Sequence, residues 1–181
     1  MKNRKEMPFQ RGSPAGKLMA ASYRGDVYKM KRMIKTGVDV NGIDGFINAG
    51  SHQLEDCTAL CIAARHGILY SVDFLLAEGA DANITIANGN TALMEAASRG
   101  HLRVVVALIE NGADVSIKNA DGKTAGDLAS ESGYTLVAKT ISDPFHVSMA
   151  EISQYTRQHL PRQETNLRPM GFWGSCSRAC L

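Results

Sequence analysis

Thr58, Thr91 and Thr124 stand 33 residues apart, and so do Gly67, Gly100 and Gly133. Gly79 and Gly112 keep that interval, each followed by Ala-Asp. Gly25 and Gly37 repeat the spacing of Gly67 and Gly79, but 42 residues earlier, nine more than the period. Agreement at several marks in one register means a repeated unit of 33 residues, with a nine-residue insertion between the first and second copies. One such unit cannot bury its own apolar surface, so copies must stack on one another. The chain is therefore expected to form a solenoid and not one closed core.

The stretch Asn88–Ala120 shows the unit most clearly. Thr91, like Thr58 and Thr124, is placed to cap a helix by accepting from a free backbone amide. Ala96-Ala97, like Ala63-Ala64, is small enough for neighbouring helices to approach closely. Gly100 suits a helix end in the left-handed conformation. A second helix follows, with Leu102, Val105, Val106, Leu108 and Ile109 at helical spacing. In the copy before it, Phe74, Leu75 and Leu76 occupy that role. Gly79 and Gly112 end the second helices, and the runs 81–89 and 114–122 read as turn-rich fingers.

These residues resemble the ankyrin repeat. Thr58-Ala59-Leu60-Cys61-Ile62-Ala63-Ala64 and Thr91-Ala92-Leu93-Met94-Glu95-Ala96-Ala97 are similar to its Thr-Pro-Leu-His-x-Ala-Ala motif, with the proline and histidine replaced. Gly100-His101-Leu102-Arg103-Val104-Val105 matches Gly-His-x-x-Val-Val in full, and Gly79-Ala80-Asp81-Ala82-Asn83 and Gly112-Ala113-Asp114-Val115-Ser116 follow Gly-Ala-Asp-Val-Asn. The resemblance spans residues 16–141 in about four repeats. It implies an all-α solenoid of helix-turn-helix units with projecting β-hairpin-like fingers. It also implies a concave binding face lined by first helices and finger tips. Transferred by register, that face takes Tyr23, Arg24, Ile62, Arg65, His66, Glu95, Ser98 and Arg99 from helices and Thr85, Ile86, Lys118 and Asn119 from fingers. Phe46 and Ile47 are expected at the tip of the inserted finger. Arg24, Arg65 and Arg99 read as a row of arginines in near-equivalent places. Because the arginine fork pairs with carboxylates, the expected partner is a protein with an acidic segment.

The remaining chain divides around this array. Residues 1–15 read as a flexible basic lead-in and 16–54 as a capping repeat carrying the insertion. Residues 55–87 and 88–120 are complete repeats. Residues 121–141 are a partial one, in which Gly126 replaces the motif's leucine. Residues 142–181 are expected to be disordered apart from a short helix over 148–159, opened by a capping box at Ser148 and Glu151. The tail also carries Trp173, the only tryptophan, in what reads as a docking motif.

The chemistry that the sequence does not support narrows function further. Cys57, Cys61 and His66 lack a second pair to complete a tetrahedral metal set. No glycine loop of Walker type or dinucleotide fingerprint occurs. Asp39, Asp81 and Asp114 are repeat marks spread along the array, not a converged site. The expectation is a non-enzymatic, monomeric interaction protein, an adaptor, scaffold or inhibitor, with no cofactor, metal or small-molecule substrate. Two alternatives are a targeting module related to a larger ankyrin-containing enzyme or channel, and nucleic-acid or membrane association through the first 35 residues. There ten basic groups face two acidic ones, although the whole chain is only +2. Four cysteines without a framework spacing, and no apolar signal segment, point to an intracellular compartment, cytoplasm or nucleus.

Overall fold

A computed structural model describes residues 13–47, 54–143 and 154–155, with Phe46, Ile47, Leu54 and Glu55 as backbone only. Expectations for residues 1–12, the remainder of the 148–159 helix and the Trp173 tail lie outside the described residues. Among those described are α1 (Pro14–Arg24), α2 (Val27–Lys35), β1 (Asp44–Ile47), β2 (Leu54–Cys57), α3 (Ala59–Arg65), α4 (Leu69–Ala77), α5 (Ala92–Ala97), α6 (Leu102–Glu110), α7 (Ala125–Glu131) and α8 (Thr135–Ser142). The helices make four hairpins that stack in two layers. In one layer α1, α3, α5 and α7 pack in succession; in the other, α4 packs on α2 and α6, and α6 on α8.

Threonine caps set three of the first helices. The Thr58 hydroxyl accepts from the Cys61 amide at 3.1 Å, Thr91 from Met94 at 3.4 Å and Thr124 from Asp127 at 3.3 Å. The Asp127 carboxylate in turn accepts from the Thr124 amide, completing a capping box. The first repeat differs from expectation. Its helix begins at Pro14, two residues before Gly16, because Ser13 caps it through the Gly16 amide at 2.9 Å and proline tolerates the first helical position. The Ser13 hydroxyl also donates to Asp44, tying the helix start to β1.

Small residues let the first helices close on one another. Ala21, Ala63, Ala64, Ala96, Ala97 and Ala129 are wholly buried between them. Larger side chains, among them Leu18, Met30, Leu60, Leu75, Leu93, Val105 and Leu108, fill the space between layers. Glycine is demanded most clearly at Gly67 and Gly100, which sit at φ +71° and +74°. A Cβ on Gly67 would lie 2.7 Å from the His101 ring, and one on Gly100 would lie 2.5 Å from the Tyr134 ring. Each repeat thus seats the residue after its own helix-ending glycine upon the preceding repeat's glycine.

The fingers are stapled to one another by asparagine. Asn41 accepts from the Asp81 amide at 2.9 Å and donates to the Gly79 carbonyl at 3.5 Å. Asn83 does the same for Asp114 and Gly112, at 2.8 and 3.3 Å. Ser116 occupies the next place in register and bonds to Asp114 within its own finger. The inserted finger is a two-stranded antiparallel hairpin pairing Asp44 with Cys57, Gly45 with Asp56, Phe46 with Glu55 and Ile47 with Leu54. Phe46 therefore stands in a strand ladder and not in the turn as expected, and its side chain lies outside the described residues.

Candidate functional site

The layer of first helices ends in a charged cluster centred on Glu95. Glu95 takes the register place of Ile62, a core position, and only 3% of it is exposed. Both its oxygens are bonded. Oε2 accepts from Arg65 Nε at 2.8 Å and from Arg99 Nη1 at 2.8 Å. Oε1 accepts from the Asn90 amide at 2.9 Å, and Asn119 donates to Asn90 at 2.9 Å. One hydrogen-bonded chain thus runs from α3 through α5 to two fingers. Burial pushes the Glu95 carboxyl upward, but hydrogen bonding and charge from Arg65, with help from Asn90 and Arg99, outweigh it and hold the group below its ordinary range.

Two histidines flank the cluster in neutral form. His101 Nε2 lies 3.2 Å from the Arg65 carbonyl, which only accepts, so this nitrogen carries the proton. Burial lowers its pKa more than that bond raises it. His66 meets Tyr23 edge-to-face, with ring centroids 4.7 Å apart. The His66 residue retains exposed surface, yet loss of water around its ring, with Arg99, Arg65 and His101 nearby, lowers its pKa to about 4. The cluster of Arg65, Glu95 and Arg99 therefore carries one net positive charge beside neutral imidazoles. Arg99, 42% exposed, presents that charge to solvent.

The family described as Ankyrin repeats, in three copies, matches residues 60–148. Residues 60–148 of this chain are ankyrin repeats. Among curated proteins none matches the chain. The matched span opens inside α3, so the hairpin α1–α2 precedes it while keeping the same glycine register. Ankyrin repeats are generally protein–protein interaction modules.

On this ankyrin stack the expected contact residues separate by burial. Tyr23, Arg24, His66, Thr85, Arg99 and Lys118 are exposed, while Ser98 and Asn119 are partly so. Four others are corrected. Ile62 is fully buried and Ile86 is 7% exposed, so both are core residues. Arg65, 5% exposed, and Glu95 satisfy each other inside the stack and are not open to a partner. The arginine row also needs correction. Counted back from each helix-ending glycine, Arg24 and Arg99 are equivalent, His66 holds their place in the second repeat, and Arg65 stands one residue earlier. The exposed row is thus Tyr23, Arg24, His66, Ser98 and Arg99. Sequence reasoning missed Asn90, although a carboxylate in an isoleucine register was a signal that a buried partner must exist.

Cys57 and Cys61 are buried thiols without a disulfide. Their mutual hydrogen bond and burial push Cys57 far up, the opposite of an activated nucleophile. Among the described residues no three His, Cys, Asp or Glu side chains converge as a metal site would require.

Proposed function

We propose that this protein is a non-catalytic binding module, an adaptor, scaffold or inhibitor, that holds an acidic segment of a partner protein along the exposed row and the finger residues Thr85, Lys118 and Asn119. The observation that carries this reading is the way Arg99 is held. Glu95 and the Ser98 hydroxyl both bind its Nη1, at 2.8 and 3.3 Å, so the guanidinium is oriented before a partner arrives. An oriented fork loses less freedom on binding a carboxylate, which favours affinity. Tyr23, pinned against His66, offers an adjacent aromatic surface. We further propose that the protein acts as a monomer inside the cell, in cytoplasm or nucleus, a reading that the unbridged Cys57 and Cys61 favour.

Affinity capture with the full chain, read by mass spectrometry, tests the surface. The double variant Arg24→Ala/Arg99→Ala should lose its principal partner by about tenfold or more, the loss expected at an interface hot spot. Equal capture would remove this face from consideration. A second reading, association with a polyanion, has its own support in α2, where Lys29, Lys31, Arg32 and Lys35 are all exposed. Reversing Lys29, Lys31 and Arg32 to Glu separates the two. It spares binding along the first-helix row and abolishes a polyanion contact, whose affinity would also fall steeply with salt.

A further inference from the structure

The last repeat ends in a groove of about 850 Å³, lined in part by Val115, Gly126, Leu136, Ala138 and Ile141. Gly126 stands where the preceding repeats carry Leu60 and Leu93, both wholly buried. A leucine side chain is therefore missing at the end of the stack, where among the described residues no further repeat covers α7. A Cβ at Gly126 would meet Ile141 at an ordinary 3.7 Å, so there is room for apolar atoms. Asp143, where α8 stops, also lines this groove, so the chain departs from its rim.

Tyr155 shows where the chain returns. It is helical, partly buried and packed against the hydrophobic core. Burial raises its phenol pKa, with the charge of Tyr134 adding to the effect, so Tyr134 lies within electrostatic reach. Tyr134 caps the start of α8 and Asp143 its end. Eight helical residues span about 12 Å. Eleven residues separate Asp143 from Tyr155, enough to span that length, and they include Met149 and Ile152 at helical spacing from Tyr155.

We propose that the open end of the solenoid is the docking surface for residues 148–159 of this same chain, a short helix whose Tyr155 lies towards Tyr134 and whose Met149 and Ile152 seat over Gly126 and Ile141. The segment serves as the terminal cap that the truncated fourth repeat does not supply itself. Its tether favours this occupant over a second molecule, because a short linker keeps the effective concentration in the millimolar range. The interaction is independent of the binding row on the other repeats.

Hydrogen exchange on the full chain tests it, comparing the parent with Ile152→Asp and with Tyr155→Ala at two protein concentrations. The expected result is that amides of α7 and α8 exchange about tenfold faster in Ile152→Asp, the effect of losing one buried apolar side chain. Amides of α3 to α6 should be unchanged, which shows that the stack itself is intact. Tyr155→Ala should shift the same amides in the same direction. Unchanged exchange in both variants overturns the proposal. So does α8 protection that rises with protein concentration alongside dimer in sedimentation, since the occupant would then be a second copy.

Discussion

At the scale of single residues, Glu95 shows how a charge is kept inside a repeat core. Removing one partner of a buried pair leaves the other uncompensated, at a cost of about 3–5 kcal/mol. Arg65→Ala should therefore destabilise the protein by about 3 kcal/mol in urea unfolding, whereas Arg99→Ala, which leaves Arg65 in place and removes a half-exposed contact, should cost about 1 kcal/mol or less. Similar losses for the two would mean that Arg65 is not the principal counter-charge. It follows that charge reversal at Arg65 is a poor probe of binding, because it would bury two carboxylates together. The protonation of His66 and Glu95 gives stability a two-stage acid response. His66 is harder to protonate in the fold than in the unfolded chain, so the unfolded state binds more protons as pH falls from 6.5 towards about 4. Stability should fall across that window, and His66→Asn should flatten the fall; a parent curve level between those values would contradict the perturbed histidine. Glu95 has a lowered pKa, so its contribution is present above the ordinary carboxylate value and is lost as pH falls through its folded value.

At the scale of helices and turns, two glycines of opposite consequence stand out. Gly126 lies in α7, without a positive φ, and an added methyl meets nothing closer than 3.7 Å. Gly126→Ala should raise stability by about 0.5–1 kcal/mol through helix propensity. Gly100 is left-handed and its added methyl would strike the Tyr134 ring. Gly100→Ala should cost more than the strain alone, roughly 1–2 kcal/mol, and pairing it with Tyr134→Ala should relieve the collision but not the strain. Thermal unfolding of the three variants checks the order, and an equal loss for the single and double variants would show that Tyr134 has moved aside. The helices were legible in the sequence because the threonine caps, apolar spacing and glycine stops all act locally. The start of α1 was not, because Ser13-Pro14 is also a common turn pattern and only the Ser13 bond to the Gly16 amide makes it a cap.

At the scale of the whole molecule, charge is divided along the stack. Residues 13–47 hold six basic and three acidic groups, while residues 54–143 hold six basic and twelve acidic ones. On the proposed binding mode, an acidic partner segment would be drawn to the first repeats and repelled by the last, which would orient it along the row from Arg99 towards Arg24. The association rate should fall with added salt more than the dissociation rate rises; salt acting mainly on dissociation would refute such steering. Because each repeat touches only its neighbours, the array was readable from period and register, and the resemblance to the ankyrin repeat added its fold class and the exposed Tyr23, Arg24 and Arg99.

Register assigns a residue to a repeat position, and the backbone of a repeat follows from short-range chemistry. The direction in which a side chain is satisfied does not. Arg65 stands one residue further from its helix-ending glycine than Arg99 does, and it turns inward because Glu95 of the next repeat lies 2.8 Å away and Asn90 completes that carboxylate's bonds. Ile62 and Ile86 are likewise buried in the assembled stack. Local composition specified the units and their order. Packing between units selected which of their side chains remain for a partner, because desolvation and hydrogen-bond satisfaction are settled across repeats and not within one.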